Sequence, residues 1–243
     1  MSSDDPKAKE SKRKQVRYVV SDDCRLKASI MVRSSDTATA NKDWPGMLMD
    51  MSASGVHIQI SLGAVAYKGD SCVIKLSHGG IKTEVRGTLV HYVCSARYSV
   101  CGVSIDFSFA GADKAYQPFL NVIIASSALT AGPAGFESPG RHREEYVGPG
   151  HAKLVVWRSE AGGGATILGF EYTIARYAVV LAKAGEDMFK NKEQVRFKTA
   201  GGGDDGHLSK SHELDARWEF SLAASNLPKT IAPDIRKLLR LVS

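Results

Sequence analysis

The sequence predicts a mainly β protein, with a small antiparallel barrel closed by a following helix and then a second β-rich domain that also ends in a helix. Three observations carry this. From Tyr18 to Phe107, short β-branched and aromatic runs are separated by turn residues. After Phe107 the apolar period changes from two to about 3.6. Ala131 to Gly140 and Gly148-Pro149-Gly150 then bracket a charged segment with the Gly/Pro composition of a linker. The expected boundaries are a tail at 1–17, a barrel at 18–130, a linker at 131–150 and a second domain at 151–243.

Met1 to Lys14 is almost devoid of apolar residues and reads as a disordered tail, whose basic end runs into the first strand. The expected strands are Tyr18–Val20, Leu26–Val32, Gly46–Met49, Val56–Ile60, Ser71–Leu76 and Ile81–Val93. Val56, Ile58 and Ile60 put three aliphatics on one face. Turns are signalled at Ser34–Thr37, Trp44–Gly46, Lys68–Asp70 and His78–Gly80. Many short strands at this spacing favour a barrel, which removes exposed sheet edges. Tyr116, Phe119, Leu120, Ile123 and Ile124 share one face of a helix begun near Asp113, with Pro118 in or near its first turn. This stripe is expected to close one end of the barrel.

Beyond the linker the strand candidates are Ala152–Trp157, Ala165–Ile174, Tyr177–Lys183, Gln194–Thr199 and Leu214–Ala223. The last segment, Ile231–Ser243, predicts a helix with Pro233 near its start and Ile235, Leu238, Leu239 and Val242 on one face. Strands followed by a helix repeat the order of the first domain. A second, diverged barrel fits that order, and so does an unrelated β-rich domain.

The 243 residues are 43% hydrophobic and 24% charged, an ordinary globular composition, with a net charge of +6 that suits an anionic partner. No apolar run reaches the length of a membrane span and Met1 to Glu10 lack an apolar core, so a cytoplasmic location is expected. Cys24, Cys72, Cys94 and Cys101 have no metal-ligand spacing. Cys94 and Cys101 face each other only if a hairpin turns at Arg97-Tyr98, and the cytoplasm keeps thiols reduced. Gly162–Gly164 and Gly201–Gly203 read as hairpin loops, since no Lys-Ser/Thr follows them and Asp204 and Asp205 repel phosphate. His207 and His212 lack companion ligands for a metal. Arg236, Lys237 and Arg240 form a basic face on the last helix, solvated or touching nucleic acid or acidic lipid. No nucleophile, paired acid or metal cluster has catalytic spacing, and Ser52 lacks the flanking glycines of a nucleophile elbow. The protein is therefore not expected to be an enzyme.

Two pieces invite a ligand. Asp50-Met-Ser-Ala-Ser-Gly55 is an acid-hydroxyl-glycine turn: Asp50 can accept two hydrogen bonds from a planar donor edge, and Ser52 can donate and accept. Gly55 permits positive φ or close backbone approach. Arg13 and Arg17, spaced i and i+4, each offer a five-donor fork suited to phosphate oxygens or the Hoogsteen edge of guanine. Together they fit a guanine nucleotide.

R-x-x-x-R followed by [D/N]-x-S-x-x-G resembles the signature of the PilZ family of cyclic di-GMP receptors. Tyr98 to Phe107, with Gly102 inside it, is similar to that family's closing strand. The resemblance covers roughly residues 12–125. It implies a PilZ-like barrel in a bacterial second-messenger pathway, with cyclic di-GMP as ligand and no other cofactor. Arg13 and Arg17 would clamp phosphate and guanine from the tail, and Asp50, Ser52 and Gly55 would line the base, with Lys12, Lys14 and Ser54 as further candidates. Lys12 occupies the position that in the family influences whether one ligand or an intercalated pair binds; a pair is the expectation here. The output would pass to a protein partner in motility, exopolysaccharide synthesis or gene expression. The alternatives are a nucleic-acid-binding barrel, for which Tyr18, Tyr67, Tyr92 and Tyr98 are the available aromatics, and a degenerate family member that mediates protein contacts alone.

Overall fold

The computed structural model describes residues 15–33, 41–138, 141–159, 166–182, 194–201 and 208–243. The expectations for the tail, for Lys12, Arg13 and Lys14, for the turn at Ser34, for Gly162–Gly164 and for His207 fall outside these residues.

The first half is an antiparallel barrel built from β2 (Lys27–Arg33), β3 (Asp43–Ser52), β4 (Gly55–Ile60), β5 (Ser71–His78), β6 (Ile81–Cys94) and β7 (Ser99–Ile105). The order β3-β2-β5-β6-β7-β4 returns to β3, so six strands close on themselves. A two-residue strand, β1 (Tyr18–Val19), lies on β3 beyond the end of β2. Alternation fills the interior: Ile30, Met51, Val56, Ile58, Ile74 and Leu89 are fully buried. Register pairs Cys94 with Ser99 and Cys101 with Tyr92, so the two thiols do not meet, and burial pushes Cys101 up to about 11 and Cys72 up to about 12.

Helix α1 (Ala112–Ser127) buries the expected stripe of Tyr116, Phe119, Leu120 and Ile123. Pro118 sits in its second turn rather than its first. The carbonyl that loses its partner to the proline belongs to Lys114, and both residues face solvent, where water can satisfy it.

Residues 131–150, expected as a linker, instead supply strands: β8 (Thr130–Ala131), β9 (Gly135–Ser138) and β10 (Arg141–Val147). Polar composition misled here because the charges are cancelled by partners on the same strand and on the next one. Glu145 is buried between Arg143 and Lys153, and Glu144 receives Arg158. The sheet continues through β11 (Lys153–Arg158), β12 (Ile167–Ile174), β13 (Tyr177–Leu181) and β14 (Arg196–Thr199) as an antiparallel meander. It is not a second barrel: among the described residues no pairing joins β14 to β8.

Leu214–Ala223, expected as a strand, lies in a helix, α2 (Lys210–Ser225). The segment has no β-branched residue, Ser209 caps it by accepting from the His212 amide, and Ala216, Phe220 and Ala223 fall on one buried stripe. Helix α3 (Pro233–Val242) follows, with Pro233 in its first turn and the predicted apolar face buried. Helix α2 ties the two sheets together. Phe220 stacks on Phe170 of β12, while Trp218 packs edge-on against Phe119 of α1 and donates its Nε1 to the His78 carbonyl at 3.0 Å. Among the described residues, no helix is long and apolar enough to cross a membrane.

Candidate ligand site on the barrel

The β3–β4 turn is held from below. The Tyr116 hydroxyl lies 2.9 Å from the Ser52 carbonyl oxygen and 3.0 Å from that of Gly55, sharing its proton between them. Burial pushes its phenol above the ordinary range. Ser52 is only 2% exposed and its Oγ donates to the Gly55 carbonyl at 3.2 Å. A Cβ at Gly55 would stand 2.1 Å from the Val103 carbonyl oxygen, so only glycine fits against β7. The glycine's close approach is thus to its own barrel. The sequence placed Ser52 on an open rim; the structure turns it inward. Ser52 does not follow the alternation that Met51 sets: it is buried because the chain turns there and its hydroxyl folds back onto the Gly55 carbonyl, while Tyr116 holds the Ser52 carbonyl from below. Ser54 is half-buried, and its carbonyl accepts from the Ile105 amide at 2.8 Å.

Asp50 faces out, and a bulge explains why. Leu48 and Met51 both point into the barrel, which strict alternation forbids for residues three apart. The register shift between Leu48 and Asp50 inserts Met49 as an extra residue and re-aims Asp50 onto the outer face, directly opposite His57 of β4. A second bulge between Leu89 and His91 does the same in β6, where His91 comes opposite Gly102 of β7. Because His57 also pairs with Gly102, one transverse row crosses four strands: Asp50, His57, Gly102, His91. Gly102 leaves a notch in this row. A Cβ there would meet His91 Cβ at 3.0 Å and the His57 ring at 3.2 Å, with the His57 Nε2 edge leaning over the gap.

Arg17 reaches the row from just before β1. Its Nη1 donates to Asp50 Oδ1 at 2.6 Å, spanning 33 positions of sequence and joining one arginine of the first motif to the acid of the second. His57 Nδ1 lies 2.9 Å from the other oxygen, Asp50 Oδ2. The Arg17 and Asp50 side chains are 28% and 18% exposed, so the pair is accessible to an incoming group. Chemically, the row offers a carboxylate acceptor, a cationic fork and two imidazole edges around a backbone floor. That suits a planar polar ring with an attached anion.

The structure therefore brings Arg17 and Asp50 together, sets Ser52 and Gly55 beneath them as the mount, and leaves Arg13, Lys12 and Lys14 outside the described residues. Sequence reading missed His57, His91 and Tyr116 as parts of the site. His57 lies two residues beyond Gly55 in clear alternation, which was a usable signal. His91 had none, since it depends on the bulge. Among the described residues, no group of three or more His, Cys, Asp or Glu side chains could hold a metal ion. A cavity of about 630 Å³ lies elsewhere, on the second sheet beside Arg143, Lys153, Trp157 and Glu171, and shares no residue with the row. Its cations are already paired, Arg143 and Lys153 with Glu145.

Among solved structures, the chain is similar to the PilZ domain with c-di-GMP of YcgR from Escherichia coli, at 13% sequence identity and a TM-score of 0.33, over 44% of this chain and 86% of that one. No family model and no curated protein matches the chain.

Proposed function

We propose that the barrel is a cyclic di-GMP receptor, a non-catalytic sensor whose ligand state regulates a protein partner. The observation that carries this reading is the 2.6 Å contact between Arg17 and Asp50, which unites the two motifs on an exposed face. In the bound state the Asp50 carboxylate accepts the paired N–H donors of one guanine edge. Arg17 turns its fork from Asp50 to phosphate or to guanine O6 and N7, with Arg13 beside it. His57 keeps Asp50 oriented through Oδ2, so the acid holds its position when Arg17 leaves. Ser52 and Gly55 act through the turn they build.

The energetics favour a switch. Ordering a chain segment costs about 1–2 kcal/mol per residue, and each charge-assisted hydrogen bond returns about 1.5–3 kcal/mol. Four or five residues of the tail and a similar number of bonds nearly balance, so the ordered state is populated mainly with ligand present. The segment that follows Arg17 carries the change onward. Ser21 donates its amide to Asn226 Oδ1 at 2.8 Å, at the end of α2. The controlled process belongs to the motility, exopolysaccharide or gene-expression outputs that the resemblance implies.

Calorimetric titration of cyclic di-GMP into the full chain tests the reading. Saturable binding is expected, weakened by about a hundredfold in Arg17→Ala and in Asp50→Ala, each of which removes more than one charge-assisted bond. Absence of binding at high micromolar ligand overturns it.

A further inference from the structure

The basic residues of the last helix do not form a flat solvated face. Arg236, Lys237 and Arg240 of α3 converge with Arg25, from the loop between β1 and β2, around a concavity of about 340 Å³ completed by Pro233 and Leu241. Like charges gathered this closely repel one another unless an anion joins them. Among the described residues, Asp23 answers them. Asp23 Oδ2 accepts from Arg240 Nη2 at 2.9 Å and stands 3.9 Å from Arg236 Nη1. The four cations thus outnumber the one Asp23 carboxylate that reaches two of them. Among the described residues, Arg25 and Lys237 have no ion-pair partner, and the Arg240 Nε is buried with no hydrogen-bond acceptor. Arg236 is fixed from behind, its Nε donating to the Ile231 carbonyl at 3.0 Å.

We propose that this cup is an anion site for a phosphate group carried by a small molecule. Three guanidinium groups and an ammonium match a multiply charged tetrahedral oxyanion, and the terminal nitrogens of Arg240 and Arg236 that Asp23 now approaches are donors a phosphate can compete for. The cations converge on one compact hollow instead of following a track, which is the geometry for a single phosphate rather than for a nucleic-acid backbone. Asp23 is the internal stand-in: its carboxylate oxygen occupies part of the place a phosphate oxygen would take. The site uses none of the motif residues and does not depend on the cyclic di-GMP reading.

The test is titration of inorganic phosphate into the full chain, followed through the arginine Nε–Hε NMR signals. A saturable shift of the Arg240 signal is expected, weakened at least about tenfold in the Arg25→Glu, Lys237→Glu double variant, whose two side chains are exposed and unpaired. Asp23→Asn should act in the opposite direction and tighten binding several-fold by removing the competing carboxylate, and Arg17→Ala should leave it unchanged. A shift that never saturates, or one the double variant does not alter, overturns the proposal. So does a single-stranded oligonucleotide that binds more than about a hundredfold tighter than phosphate with steep salt dependence, which would make the surface a polymer track.

Discussion

Two of the arginine–aspartate pairs in the molecule, Arg17–Asp50 and Arg158–Asp234, share their chemistry but hold the arginine in opposite settings. Arg17 makes one hydrogen bond to Asp50 on the outer face of the barrel, with 28% of its side chain exposed. Arg158 is 3% exposed in the second sheet: its Nε donates to Glu144 at 2.8 Å, and its two terminal nitrogens fork onto Asp234 at 2.5 and 3.1 Å. It thereby clamps β10 and β11 to the start of α3, where an acid is also favoured by the helix dipole. Residue identity does not separate an exchangeable pair from a cross-link. The number of bonds and the burial of the guanidinium do: an arginine with one bond and access to water exchanges it for a ligand at little cost, whereas one held by several bonds and shut away from water has nothing to exchange with.

The largest effect that would break this comparison is on stability. Arg158→Ala is expected to destabilise the chain by about 3 kcal/mol, the low end for breaking a buried pair, because both acids left behind retain some solvent. Urea unfolding followed by circular dichroism measures it, and a loss below about 1 kcal/mol would place Arg158 with Arg17. Next is the mount under the site. Tyr116→Phe removes the hydroxyl from two buried carbonyls and should cost about 1–3 kcal/mol while leaving Arg17 and Asp50 in place. Its urea midpoint should fall, and its ligand affinity should weaken far less than in Asp50→Ala. Smaller again is Arg17→Ala, with a stability change no greater than about 1 kcal/mol despite its effect on ligand binding. A large loss of stability there would mark Arg17 as a structural clamp and remove the basis for reading it as a ligand contact.

The same contrast explains what the sequence disclosed. Barrel strands were legible because Val56, Ile58 and Ile60 alternate cleanly, and Asp50, Ser52 and Gly55 stand at fixed offsets in one turn. The outward aim of Asp50 was not legible, since a bulge is a property of two strands in register and has no local signature at Met49. In the second half, β10 was hidden by charges whose partners, Lys153 and Arg158, lie on the next strand. Helix α2 was hidden because Leu214 to Ala223 follows four strand candidates beyond the expected linker, and that order outweighed its lack of β-branched residues. Local chemistry is readable from one segment. Pairing between distant segments is not.

The smallest predicted effect is a pH dependence confined to the buried clamp. The hydrogen bond from Arg158, aided by its charge and by helix amides, holds the Asp234 carboxyl below the usual carboxylate range, while burial works the other way. A carboxyl that is more acidic in the folded state stabilises the fold only when ionised. Its contribution is complete above the unfolded value of 3.8 and is lost as pH falls through the folded value, because in that window the unfolded chain binds the proton first. Asp234 is 47% exposed, so solvent screens the pair and the contribution is no more than about 1 kcal/mol. Urea midpoints measured at about pH 5 and about pH 3 should therefore converge between wild type and Asp234→Asn as the pH drops. Parallel lines would mean that Arg158 draws its stability from Glu144 and packing alone, and the fork would no longer distinguish it from Arg17.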